Sequence, residues 1–418
     1  MATSITPRDP ERLDLSRWRN VPNLMIGVGA VVAVAGAFIN LRQFGYSWLL
    51  AFMFVVSLCL GGLFLVLVHH LFDASWSVPI RRVTEHMACF AFPVLPLLFI
   101  PIAVLAPGIG NTPAIYPWMV SDPAHDHALH SKLPLFTKTM FYVVAVLCLG
   151  AWGFLSHRLR AWSLRQDQTG SPECTFRMRR LSAIGIFVFA YSLTFAAIMW
   201  MKALQHQWFS TMYGVYYFAG SVWTTLATVY LLTSVLKQTG ALREVVHEKQ
   251  FYFIGSLLFA FTVFYAYITF SQYFIIWNAN MPEETFWYVV REKGTWWQVG
   301  LVIIFGHFFL PFLTLLRIDW KLKLTVMVPI CLWAWLMHFM DLQFNIMPVL
   351  HPDGVSSLGL ILDLGCLALM IGLFAKVFIA SFLAHPPFPQ RDPRMAEGMD
   401  VFVPPLSSQT ATLSQHGH

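Results

Sequence analysis

Ten stretches of the chain stay apolar for about twenty residues, the length a helix needs to cross a hydrocarbon core of roughly 30 Å. They are centred near residues 31, 58, 97, 147, 192, 224, 264, 306, 332 and 371. The pattern predicts an all-α integral membrane protein with ten transmembrane helices, because only helices and closed barrels satisfy every backbone polar group in lipid. The connections between spans add a second regularity. Those over residues 107 to 135 and 278 to 296 are long, while those that follow spans one and five are short. Spans two to five and six to nine therefore read as two repeated four-helix bundles, about 46–204 and 212–344. Flanking helices at about 22–41 and 358–383 complete a membrane domain over 21–383. "MWMKAL" (199 to 204) in span five sits like "MHFMDL" (337 to 342) in span nine. Both bundles start on the same side, which relates them by an axis along the membrane normal. Residues 1–20 form a polar N-terminal segment. Residues 384–418, rich in Pro, Ser and Thr, are too poor in apolar material to pack alone and read as a tail or a strap over their neighbours.

Composition agrees: the chain is 57% hydrophobic and 11% charged, against about 25% charged in soluble domains. Charge placement sets the expected orientation, since cationic loops resist translocation. Of 27 Lys and Arg, twenty fall at the N-terminus, in the connections after spans two, four, six and eight, and in the C-terminal tail; six fall in the alternate connections and Lys376 lies inside span ten. Both termini are expected in the cytoplasm of a bacterium, with the spans in its inner (plasma) membrane. The pI near 9.0 needs no nucleic-acid partner. The first twenty residues hold four arginines and three acids without an apolar stretch, so span one is expected to be retained. Six cysteines without a C-x-x-C spacing offer no recognised anchor for an iron–sulfur cluster or c-type haem.

An ionisable side chain at mid-bilayer costs about 2.5–3.5 kcal/mol on insertion scales and calls for a partner or a cavity. Span nine carries His338 and Asp341 one turn apart, span eight His307, span five Lys202 and span ten Asp363. In span seven Thr262, Tyr265, Thr269, Gln272 and Tyr273 share a helical face, and in span six Tyr213, Tyr217, Ser221, Thr224 and Thr228 do the same. A proton path is expected through His338, Asp341, His307, Tyr265, Thr269, Thr224 and Thr228. Gln272, Tyr273 and Tyr217 are expected to hydrogen-bond water or a quinone headgroup, which needs donors at its carbonyls beside an apolar slot. The same tyrosines also suit an interfacial belt, and the hydroxyls helix packing. Beyond span seven, Asn280 is expected to cap a short surface helix, with Pro282, Glu283 and Glu284 in its first turn.

Near the opposite ends of spans two to four, His69, His70, Asp73, Glu85, His86 and His157 gather. His69, His70, Glu85 and His86 read as an inner proton-uptake funnel or an interfacial cluster, with a haem held by His69 or His70 and His157 as a remoter alternative. His125, Asp126, His127 and His130 suit zinc or copper by ligand type, or a solvated contact surface.

"QHQWFSTMYGVYYFAG" (205 to 220), "QYFIIWNANMPEE" (272 to 284) and "MDLQFNIMP" (340 to 348), in that order, with "HHLFDASWSVPIRRVTE" (69 to 85), resemble the NrfD or polysulfide-reductase family of membrane subunits, and within it the ActF type of bacterial alternative complex III. The resemblance covers nearly the whole chain. It implies a haem-free membrane subunit of a quinol:electron-acceptor oxidoreductase, with no cofactor ligated by this chain and menaquinone or ubiquinone as its non-covalent ligand. It implies as partners a multihaem cytochrome c, an iron–sulfur subunit and a second NrfD-like subunit, besides the lipid bilayer. The chain departs from the family pattern where Met199 precedes Trp200 and in having no carboxylate within the first-bundle spans. A secondary transporter and a purely structural anchor are the alternative functions.

Overall fold

The structure, a computed structural model, describes residues 20–399. Residues 1–19 and 400–418, which hold nearly all of the expected N-terminal segment and the end of the tail, lie outside the described residues. Ten helices are long and apolar enough to cross a membrane: span one Asn20–Ile39, two Leu41–Leu71, three Val78–Leu105, four Lys138–Thr169, five Pro172–Gln205, six Tyr213–Gln238, seven Glu248–Ala279, eight Trp296–Leu315, nine Leu324–Val349 and ten Ser357–Ala384. No strand occurs among the described residues. The protein is an all-α, multi-pass membrane protein.

Side-chain caps start several spans where the sequence leaves the first backbone donors without helical partners. Asn40 accepts from the Gln43 amide, Thr137 from Met140, Ser171 from Glu173 and Ser356 from Gly359. Gly170 closes span four in the left-handed region, with φ of 65°, which glycine reaches at no steric cost.

Spans two to five pack in a ring, as do spans six to nine, and the two four-helix bundles meet chiefly along spans two and six. Spans one and ten lie against each other and flank span two. Spans two and six approach closely at Gly61, where an added Cβ would fall 2.0 Å from Thr225 Oγ1. Small residues permit this approach where water supplies no driving force between helices. The first bundle is filled at its centre with rings: Trp200 lies 4.9 Å from Phe99, 5.7 Å from Phe52 and 5.8 Å from Trp152.

The end of the molecule at which span one begins carries most of the described basic residues and is called the basic end; the other is the far end. Residues 385–399 fold across the basic end as a strap. Asp392 accepts from Arg81 Nη1 at 2.5 Å, the Gln390 amide donates to Asp167 Oδ1 at 2.9 Å, Arg394 pairs with Asp73, and the Gly398 carbonyl accepts from Gln250 Nε2 at 2.8 Å. Of the two readings of the tail, the strap holds for its described part. Phe388 and Met395 of the strap are buried in the core, and the ion pairs and hydrogen bonds fix the rest of it.

Candidate functional site in the second bundle

Span nine places Asp341 about twelve Å from its far end, at 1.5 Å per residue. The carboxylate is buried. Its Oδ1 accepts from Tyr265 on span seven at 2.7 Å and from Tyr216 on span six. Asn345, one turn further along span nine, donates to the Tyr216 oxygen at 2.7 Å and accepts from Tyr213 at 3.0 Å. Among the described residues no cation pairs with Asp341. Hydrogen bonds to a charged group contribute about 1.5–3 kcal/mol each, so two phenols are of the right order to offset the insertion cost of the carboxylate.

Above this cluster, towards the far end, lies Arg291, the last residue of the surface helix Pro282–Arg291. It is 2% exposed and donates to the carbonyls of Phe344, Asn345 and Trp287, each at 2.8 Å, and to Gln205 Oε1 at 3.1 Å. Its guanidinium lies 3.5 Å from the centre of the Trp287 ring. Burial lowers its pKa to about 9, against smaller opposing effects of Tyr213, Tyr216 and Tyr288, and it remains charged at neutral pH. The Phe344 and Asn345 carbonyls belong to the last turns of span nine, where a cation complements the helix dipole. Pro282, Glu283 and Glu284 stand in the first turn of the surface helix as expected. Asn280 does not cap it. Asn280 instead ends span seven in the left-handed region with φ of 47°, and Met281 precedes the surface helix. Asn tolerates that conformation better than most residues, so the residue closes one helix rather than opening the next.

Deeper in the bundle, the His307 ring lies between Tyr265, 3.7 Å away, and Trp223, 3.8 Å away, stacked on both. It sits in a π-helical turn over Ile304–Phe309, a local irregularity frequent at functional sites. Neither ring nitrogen has a hydrogen-bond partner, and neither does the hydroxyl of Thr224. Buried polar atoms of this kind call for water. Among the expected path residues, Tyr265 thus touches both Asp341 and His307, and His307 and Thr224 carry the unpartnered polar atoms.

The remaining expected residues divide. His338 does not join Asp341: its Nε2 bonds Ser57 Oγ on span two at 2.9 Å, and its Nδ1 is unpartnered. The ring fits because position 220 is glycine; a Cβ there would stand 3.3 Å from it. Thr228 bonds back to the Thr224 carbonyl and accepts from Trp335 Nε1, each at 2.8 Å. Thr269 bonds back to the Tyr265 carbonyl at 2.9 Å. Both hydroxyls are taken up in helix packing, as a threonine on a helix face often is.

The expected headgroup set does not converge. Tyr217 turns to the bundle interface and donates to the Met53 carbonyl of span two at 2.7 Å. Tyr273 is 42% exposed and packs edge-on against Tyr288. Gln272 accepts from Ser210 at 2.6 Å and donates to the Tyr288 oxygen at 3.0 Å. Gln272 and Tyr273 meet at Tyr288 while Tyr217 faces span two, so the three expected residues do not form one headgroup site.

At the basic end, His69, His70, Glu85 and His86 are brought near one another but do not open a funnel. All four are buried at 3% exposure or less. Glu85 receives Arg81 at 3.1 Å and Arg82 at 2.8 Å. His69 holds Ser77 at 2.6 Å and Arg81 at 3.0 Å, and the His86 ring lies 5.6 Å from that of His385 at the start of the strap. The arginines claim the carboxylate and the strap closes the surface above. In the long far-end connection, Asp126 bonds the Leu129 amide at 3.0 Å and pairs with His206 at 2.6 Å, while His125 is exposed. No three His, Cys, Asp or Glu side chains among the described residues gather as metal ligands.

The chain matches no protein-family model and no curated protein.

Tyr216, Asn345 and Arg291 are functional candidates that the sequence reading passed over. The sequence signal was present in "MYGVYYFAG", where Tyr213 and Tyr216 are one turn apart; the five-residue stripe through Tyr217 was the more regular one.

Proposed function

We propose that the second bundle of this chain carries protons between the far end and the membrane interior, through Asp341 with Tyr216, Tyr265 and His307, as a membrane subunit of a quinol:electron-acceptor oxidoreductase of the alternative complex III type. The observation that carries the proton reading is Asp341 itself: a buried carboxylate at bilayer depth, held by two phenols, without a cation. Such a group exchanges protons without changing its packing, because a phenol can donate to the carboxylate or accept from the carboxylic acid. Support for the complex comes from the sequence motifs. Quinone chemistry is assigned to other subunits, since Gln272, Tyr273 and Tyr217 do not shape one headgroup site. The chain also anchors the outer haem and iron–sulfur subunits, and the acidic first turn of Pro282–Arg291 offers them a contact. The basic end then faces the cytoplasm of a bacterium whose plasma membrane holds the complex.

Mild extraction from the native membrane tests this reading. The expected result is co-purification with c-type haem and iron–sulfur subunits and quinol-oxidising activity, read by haem spectra and mass spectrometry. Isolation of the chain alone and haem-free would contradict it.

A further inference from the structure

Span nine is polar on two opposite faces. Asp341 and Asn345 look towards spans six and seven. Gln343 and Met347, about 200° around the helix from the first pair at 100° per residue, look towards spans two and ten. There Gln343 Nε2 donates to Asp363 Oδ2 at 3.1 Å, and Ser47 Oγ of span two donates to Asp363 Oδ1 at 2.5 Å. Asp363 is 1% exposed and lies six residues into span ten, about 9 Å from its far end. Among the described residues no cation pairs with it.

This carboxylate borders a narrow cleft of about 10 Å³, lined by Gln43, Gln343, His351, Ser356 and Asp363 on its polar side and by Trp296, Met347, Val355 and Gly359 elsewhere. That is the room of about one water molecule, with several polar groups to hold it. His351, Val355 and Ser356, in the connection between spans nine and ten, are half-buried, so the cleft reaches the far-end surface. His351 Nε2 donates to Gln43 Oε1 at 2.5 Å, and Gln43 Nε2 donates to Ser47 at 3.1 Å. The connection is held by Trp296 Nε1, which donates to the His351 carbonyl at 2.7 Å. The charged or titratable groups around Asp363 among the described residues are few: Cys366, one turn further along span ten, and His351 at the mouth, with Arg42 at the start of span two beside it. Burial, and secondarily Arg42, lower the His351 pKa, so the imidazole is neutral at neutral pH and places no fixed cation at the mouth.

We propose that Asp363 is a second proton-exchanging carboxylate, independent of the Asp341 cluster, which takes up and releases its proton at the far end through this cleft, with His351 at its mouth. In release the carboxyl O–H bond breaks, water in the cleft accepts the proton, and the negative charge stays on Asp363 under the Ser47 and Gln343 donors. The free His351 Nδ1 then receives the proton from that water and passes it to the surface. The proposal does not depend on the Asp341 path, and either can fail alone.

Infrared difference spectra of the full chain in lipid nanodiscs, stepped between about pH 5 and 9 in H₂O and D₂O, test it. Asp363→Asn is expected to remove one protonated-carboxyl stretch and leave that of Asp341; Asp341→Asn is expected to do the converse. His351→Ala is expected to keep the Asp363 band and slow its deuterium shift several-fold. Ser47→Ala, which retains the carboxyl and removes one donor, is expected to displace the band and keeps the test open if Asp363→Asn fails to accumulate. A pH difference spectrum unchanged by Asp363→Asn, or an Asp363 band that never shifts in D₂O, would overturn the proposal. A band that responds to sodium and not to pH would overturn it in favour of a metal cation.

Discussion

At the scale of single residues, Asp341 and the groups around it behave as one unit. Tyr265→Phe leaves the carboxylate with one phenol, Tyr216, and removes a bond of 2.7 Å. The expected loss is about 1.5–3 kcal/mol of stability, read as a lower thermal midpoint in detergent, with His307 still stacked on the retained ring. Gly220→Leu is expected to be worse tolerated, because even its Cβ would press on the His338 ring at 3.3 Å; the check is yield and monodispersity of the purified variant. The sequence made Asp341, Tyr265 and His307 legible, because ionisable groups are rare in apolar spans and each stands out. It misplaced His338, which shares a turn with Asp341 yet bonds across the bundle interface to Ser57. Spacing along one helix tells which residues share a face, and not which neighbouring helix that face meets.

At the scale of elements, span six explains why one stripe was chosen over another. It is buried on nearly all sides, between span two and spans seven and nine. Tyr217 and Thr225 therefore serve span two, and Tyr213 and Tyr216 serve span nine. Periodicity separates a lipid face from a packed face, and this helix has almost no lipid face to reveal the difference. The strap is an element whose docking the composition left open; buried Phe388 and Met395 together with its ion pairs supply it. Burial raises the pKa of Asp392, but Arg81 and Arg394 outweigh it and hold the carboxyl at about 2, below the ordinary value of about 3.9. A depressed carboxylate contributes stability that is present above its unfolded pKa and lost as pH falls through its folded one. The strap is thus expected to stay docked from neutral pH to about 4 and to loosen between about 4 and 2. Asp392→Asn, which removes one partner of a buried pair at a cost of about 3–5 kcal/mol, is expected to loosen it at neutral pH. Faster deuterium uptake over 385–399, with spans two and three unchanged, checks both.

At the scale of the whole molecule, two similar bundles carry unequal chemistry. The alignment of "MWMKAL" with "MHFMDL" sets Trp200 against His338 and Ala203 against Asp341. The first bundle fills the space with aromatic rings, and the second keeps a carboxylate, an imidazole and phenols. Ten spans and a two-bundle repeat were legible because apolar runs and connection lengths record them directly. The partner of each polar side chain was less so, since it depends on which helices pack together. Outside this duplication, span ten adds Asp363, so that carboxylates lie on either side of span nine.

The most direct test of the account is proton translocation by the purified complex in lipid vesicles, compared between the native chain and Asp341→Asn at equal quinol turnover. Asparagine retains the size and hydrogen-bonding reach of the side chain, so assembly is expected to be unchanged. The account predicts that translocation falls at least several-fold. Native translocation at native turnover in the Asp341→Asn complex would contradict it.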